Sequence, residues 1–160
     1  RLTGAMRALE IGTFTGYGAI RIARGLAPDG SLTCFELDGE RAAVARANLD
    51  EAGVGEKVEI VVGPAIEGLR ALPDEAAVDF AYIDADKTGY PDYYEEIVRR
   101  LAPGGLLAID NVLMGGRILD TDPDEGTAAM QILNDRIMED DRVDSVMLGM
   151  ADGLTLVKRR

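Results

Sequence analysis

The sequence predicts an α/β fold in which βαβ units wind around a mostly parallel sheet. Apolar runs alternate with amphipathic segments of about a dozen residues, the pattern of strands buried on both faces and helices covering them. A glycine-rich turn, ALEIGTFTGYGAI, joins the first strand pattern to the first helical one, and APDGS and APGG supply turn chemistry at helix ends. With 160 residues the chain fits one domain, residues 1–160, around a single core.

Strands are expected near Ala5–Ile11, Ser31–Leu37, Val58–Val62, Val78–Ile83 and Leu106–Ile109, each a short, largely apolar run. Helices are expected between them, at Tyr17–Leu26, Gly39–Ala52, Ile66–Ala71 and Pro91–Leu101. Pro91 suits a first helical turn, where its missing N–H costs nothing. Beyond Asp110 come a polar loop, a helix from Asp124 to Asp140, and two runs, DSVMLGM and LTLVKR, joined through Ala151, Asp152 and Gly153. That tail reads as a β-hairpin closing the sheet edge. The acidic run DTDPDE, Asp120–Glu125, reads as a solvated approach to the helix. The chain starts at Arg1 with the first strand pattern close behind, so preceding sequence is expected to be lost or removed.

Composition removes several function classes. Seventeen Lys and Arg against 29 Asp and Glu give a net charge of −12, which repels polyanions and disfavours a nucleic-acid partner. The absence of histidine excludes Ser-His and Cys-His nucleophile pairs and every histidine metal site, leaving oxygen as the main metal donor. The single Cys34 excludes an internal disulfide. No apolar run is long enough to span a bilayer and no secretory signal pattern is present, so the expected setting is cytoplasmic, without a membrane partner.

Three clusters carry chemistry. Gly12, Gly16 and Gly18 let the backbone approach a ligand closely at the end of the first strand, though their spacing departs from the dinucleotide fingerprint. Glu36 ends the second strand, where a carboxylate accepts hydrogen bonds from both hydroxyls of a ribose. Together they point to a nucleoside cofactor; alone they also fit a tight turn beside a surface acid. Asp84 ends the fourth strand, and Asp110 and Asn111 end the fifth. If those strands are neighbours, two carboxylates and an amide oxygen form a hard, incomplete coordination set suited to Mg²⁺ or a similar cation. Asp86 has no evident partner, and Lys87 reads either as a solvated lysine or as a base beside the metal.

The motifs LEIGTFTGYG, FELD, VVGPA, YIDADK, LAPGG, AIDNVLMGG and DGLTLVKRR, in this order, resemble the cation-dependent class I AdoMet O-methyltransferases, the caffeoyl-CoA and catechol O-methyltransferase family. The resemblance covers essentially the whole chain. It implies a Rossmann-like, doubly wound seven-stranded sheet in the order 3-2-1-4-5-7-6 with the last strand antiparallel. It implies that Glu10, Gly12, Thr13 and Phe14 line the AdoMet pocket, that Glu36 binds the ribose hydroxyls, and that Ala65 lies beside the adenine. It assigns Asp84, Asp110 and Asn111 to a divalent cation, Mg²⁺ first with Ca²⁺ or Mn²⁺ as alternatives, and Lys87 to the general base. Asp84 would border the cofactor as well as the metal and so take part in catalysis.

The implied acceptor is a small catechol-like molecule, and the implied assembly a homodimer. Gly18 stands where the family commonly has a serine for the methionine carboxylate of AdoMet, and Met114 where many relatives have an aromatic residue. The family also carries amino-terminal helices that help to form the acceptor pocket and the dimer. Without them the chain is expected to bind AdoMet weakly or turn over poorly, and to self-associate. Two alternatives stay open: a non-catalytic AdoMet-binding domain, and a nicotinamide-dependent oxidoreductase, which shares the glycine loop and Glu36 but leaves Asp84, Asp110 and Asn111 unexplained.

Overall fold

The computed structural model describes residues 3–74 and 77–160. A seven-stranded sheet runs β3-β2-β1-β4-β5-β7-β6, the order that the resemblance implies. Its strands are β1 (Arg7–Ile11), β2 (Ser31–Glu36), β3 (Val58–Val62), β4 (Val78–Ile83), β5 (Leu101–Asp110), β6 (Val143–Leu148) and β7 (Leu154–Arg159). The first five pair in parallel, while β7 inserts antiparallel between β5 and β6 as the far arm of the closing hairpin.

The helices are α1 (Tyr17–Gly25), α2 (Gly39–Glu51), α3 (Ala65–Ala71), α4 (Tyr90–Val98) and α5 (Glu125–Glu139). Asp38 starts α2 by accepting the Glu40 and Arg41 backbone N–H groups, and Asp124 starts α5 by accepting that of Thr127. Strand alternation sends Leu9, Ile11, Ala81, Ile83, Leu107 and Ile109 to a core shared with α3, α4 and α5. Ala8, Leu32 and Cys34 face a smaller core with α1 and α2. The sheet is therefore covered on both sides around β1 and β2, which explains its near-continuous apolar strands.

Two expectations need correction. Strand β5 begins at Leu101, not Leu106, because Val78 pairs with Leu101 before a register shift restores pairing at Phe80 and Leu106. Helix α4 accordingly ends at Val98 rather than at Leu101. The polar stretch after Asp110 contains a 3-10 segment, Met114–Leu119, kinked where Gly115 and Gly116 take positive φ values.

Candidate active site

A crevice of about 460 Å³ opens where β1, β2 and β4 end, at the point where strand order reverses on either side of β1. Gly12, Phe14, Glu36, Ala65 and Asp84 line it, as do Leu37, Arg41, Gly63 and Asp86. Gly12 has φ +91°, and a Cβ there would overlap the Asp84 carbonyl oxygen, so the bare backbone is what lets β1 and β4 close at the crevice floor.

Glu36 is 5% exposed, and its two oxygens are held from the protein side. Oε2 accepts the Phe14 N–H at 2.7 Å and Oε1 accepts the Asp38 N–H at 3.0 Å. Each oxygen keeps lone-pair capacity for a ribose hydroxyl. Phe14 reaches its bond only with φ +51°, a conformation costly for a non-glycine residue, and its exposed ring lies under the Arg41 guanidinium at 5.3 Å. Arg41 escaped the sequence reading because its only signal there is a place in the first turn of α2.

Glu10, Thr13 and Gly18 are not among the residues that line the crevice. Thr13 is buried, its hydroxyl donating to the Phe35 carbonyl at 3.3 Å. Glu10 is 1% exposed and accepts from the Cys34 thiol at 3.3 Å. A Cβ at position 18 would overlap Glu10 Oε1, so Gly18 makes room for this carboxyl. Burial pushes Glu10 up to about 8, partly countered by the Cys34 and Thr13 hydrogen bonds.

Because the folded-state value lies above the ordinary 4.5, the contribution of protonated Glu10 to stability is full below pH 4.5 and is lost as pH rises toward 8. Between pH 5 and pH 8 the wild type should lose a few kcal/mol relative to Glu10→Gln, at about 1.4 kcal/mol per pKa unit, in chemical denaturation. Parallel pH dependences in the two proteins would contradict this.

The second half of the site follows β4 and β5. Ile83 pairs with Ile109, so Asp84 and Asp110 leave adjacent strand ends. Lys87 Nζ donates to Asp84 Oδ1 at 3.0 Å, to Asn111 Oδ1 at 2.9 Å and to the Tyr90 hydroxyl. Asp84 and Asn111, 27 positions apart in sequence, thus converge on one cationic nitrogen. Asn111 holds φ +62°, a left-handed conformation that asparagine tolerates better than most residues. The Asp110 carboxylate accepts the Asn111 N–H at 2.7 Å through Oδ1 and the Tyr82 hydroxyl at 2.7 Å through Oδ2.

Asp86 faces the crevice and accepts from the Tyr93 hydroxyl at 2.7 Å, a partner on α4 that the sequence reading did not supply. Met114 is buried in the core and Arg117 pairs with Asp124 at 2.9 Å. Among the described residues no group of three or more His, Cys, Asp or Glu is placed to hold a metal; the predicted set has only two carboxylates plus an amide.

A doubly wound sheet with this strand order, an acid at the end of β2 and a crevice at the switch point match the arrangement that the resemblance to class I methyltransferases implies. The O-methyltransferase family model matches residues 1–160, and the chain belongs to that family. It is 37% identical to catechol O-methyltransferase of Niastella koreensis, over 98% of this chain and 74% of that protein. It is 33% identical to caffeoyl-CoA O-methyltransferase 2 of Zea mays, over 99% of this chain and 64% of that protein. Among solved structures it resembles the O-methyltransferase TomG of Streptomyces achromogenes in complex with SAM. That match has a TM-score of 0.94 and 35% identity, covering 99% of this chain and 74% of TomG. The chain is thus an AdoMet-dependent O-methyltransferase.

Proposed function

We propose that this chain, as one domain, moves the methyl group of AdoMet to a hydroxyl of a small catechol-like acceptor in a divalent-cation-dependent reaction. The observation that carries the reading is the convergence of Asp84 Oδ1 and Asn111 Oδ1 on the Lys87 ammonium beside the cofactor crevice. That nitrogen is a stand-in cation, so the donor set fits a hard metal, with Asp110 next to Asn111 as the third ligand and Mg²⁺ first in order.

A cation held there would supply Lewis acidity, lowering the pKa of two vicinal hydroxyls. Glu36 and the glycine turn would hold the nucleoside of AdoMet, which would supply the electrophilic methyl group. Lys87, having given its ammonium proton to solvent, would take the hydroxyl proton, and the oxygen would form its bond to the methyl carbon as the carbon–sulfur bond breaks and AdoHcy leaves.

The relatives' names support the acceptor class, because they include enzymes named for catechol and for caffeoyl-CoA. The charge of −12 favours a small acceptor over a polyanionic thioester. A homodimer in the cytoplasm, without nucleic-acid or membrane partners, completes the reading. Among the described residues no helix is long and apolar enough to cross a membrane.

The test is methyl transfer to catechol with Mg²⁺ or with EDTA, read as AdoHcy formed. Chelation should abolish transfer and added Mg²⁺ restore it. Transfer that is unchanged in EDTA would overturn the cation-dependent reading, and AdoMet binding without transfer to any catechol would favour a non-catalytic domain.

A further inference from the structure

We propose that Tyr82 is a positioning residue for the candidate cation site, its phenol fixing the carboxylate of Asp110; the inference rests on the cation reading above. Tyr82 lies on β4 two residues before Asp84, so strand alternation puts both on the same side of the sheet. Its cross-strand partner on β5 is the small Ala108, and Asp110 comes two residues later on that strand. From there the Tyr82 hydroxyl donates to Asp110 Oδ2 at 2.7 Å, within the range of a strong charge-assisted bond.

The opposite oxygen, Oδ1, accepts the Asn111 N–H at 2.7 Å. The carboxylate is therefore gripped at both ends, and each oxygen retains lone-pair capacity for a ligand. A free aspartate at a strand end samples several rotamers; this one is held by two hydrogen bonds. Packing does not call for the hydroxyl, since a phenylalanine ring would fill the same half-buried space. Outer partners of this kind orient a metal ligand, and losing one costs roughly 10–100-fold in metal affinity.

The test is calorimetric titration of Mn²⁺ into the protein saturated with AdoHcy. Tyr82→Phe should bind Mn²⁺ about tenfold or more weakly than the wild type, with AdoHcy affinity nearly unchanged and a melting temperature lower by only about 2–4 °C. In an Asp110→Ala background, Tyr82→Phe should add no further loss, because its target is gone. Equal Mn²⁺ affinity of Tyr82→Phe and wild type, or a full additional loss in the Asp110→Ala background, overturns the positioning role. A wild type that binds no Mn²⁺ overturns the cation reading itself, and Tyr82 falls with it; that outcome is seen before any variant is made.

Discussion

Asp110→Ala should lower cation-dependent methyl transfer by more than about 100-fold, beyond the range for losing an outer partner of a metal ligand, while AdoHcy binding stays within a few-fold of wild type. The asymmetry follows from placement. Asp110 closes β5, outside the crevice that Gly12, Glu36 and Ala65 line, and its backbone pairing with Leu154 survives the substitution. The alanine variant gives up the hydrogen bonds to Tyr82 and to the Asn111 N–H, each worth about 1 kcal/mol of stability when its partner can find water. Turnover with Mg²⁺ and calorimetry with AdoHcy measure the two sides. Comparable losses in both would make Asp110 a structural residue and remove it from the ligand set.

Gly12→Ala should damage the fold itself, by about 3 kcal/mol or more. Its φ of +91° costs an L-residue roughly 1–2 kcal/mol, and the added methyl meets the Asp84 carbonyl oxygen, an overpacking that costs about 1–3 kcal/mol. Relief by backbone movement is blocked, because Gly12 N–H donates to the Phe35 carbonyl at 3.0 Å while Asp84 N–H donates to the Ile11 carbonyl at 2.9 Å. Three strands meet there, so any shift also opens the cofactor crevice. A fall of about 10 °C in melting temperature is expected for a chain of this size, together with a weaker AdoHcy-induced rise. A variant that melts with the wild type would show that β1 and β4 do not approach so closely.

Much of the fold is legible in the sequence because buried parallel strands and amphipathic helices write different periods. Val78–Ile83 and Leu154–Arg159 were expected with the bounds they have, and Asp124 and Asp140 flank α5 as its capping positions. The start of β5 was hidden by Pro103, Gly104 and Gly105, which read as a turn although Leu101 still pairs with Val78. The placement of the candidate residues at strand ends was legible for a topological reason: in an open parallel sheet the carboxyl ends collect at one edge.

Contacts between distant segments were not legible. Tyr82 and Asp110 meet through the β4–β5 register, and Tyr93 reaches Asp86 across a 3-10 turn and the start of α4. Neither pair has a spacing that marks it. Gly18 read as standing where the family commonly has a serine, and the space that the Glu10 carboxyl, eight positions earlier, takes beside it had no signal in the sequence.

If the proposed cation binds, the Lys87 bridge makes its uptake an exchange reaction. Asp84 Oδ1 and Asn111 Oδ1 already serve one positive charge, so a divalent ion that engages their inward lone pairs must displace an ammonium as well as shed water. Measured affinity is then a difference between two cations competing for one set of oxygens. The displaced lysine side chain, once its ammonium proton has gone to solvent, is the proposed proton acceptor, so filling the site and freeing that side chain would be a single event.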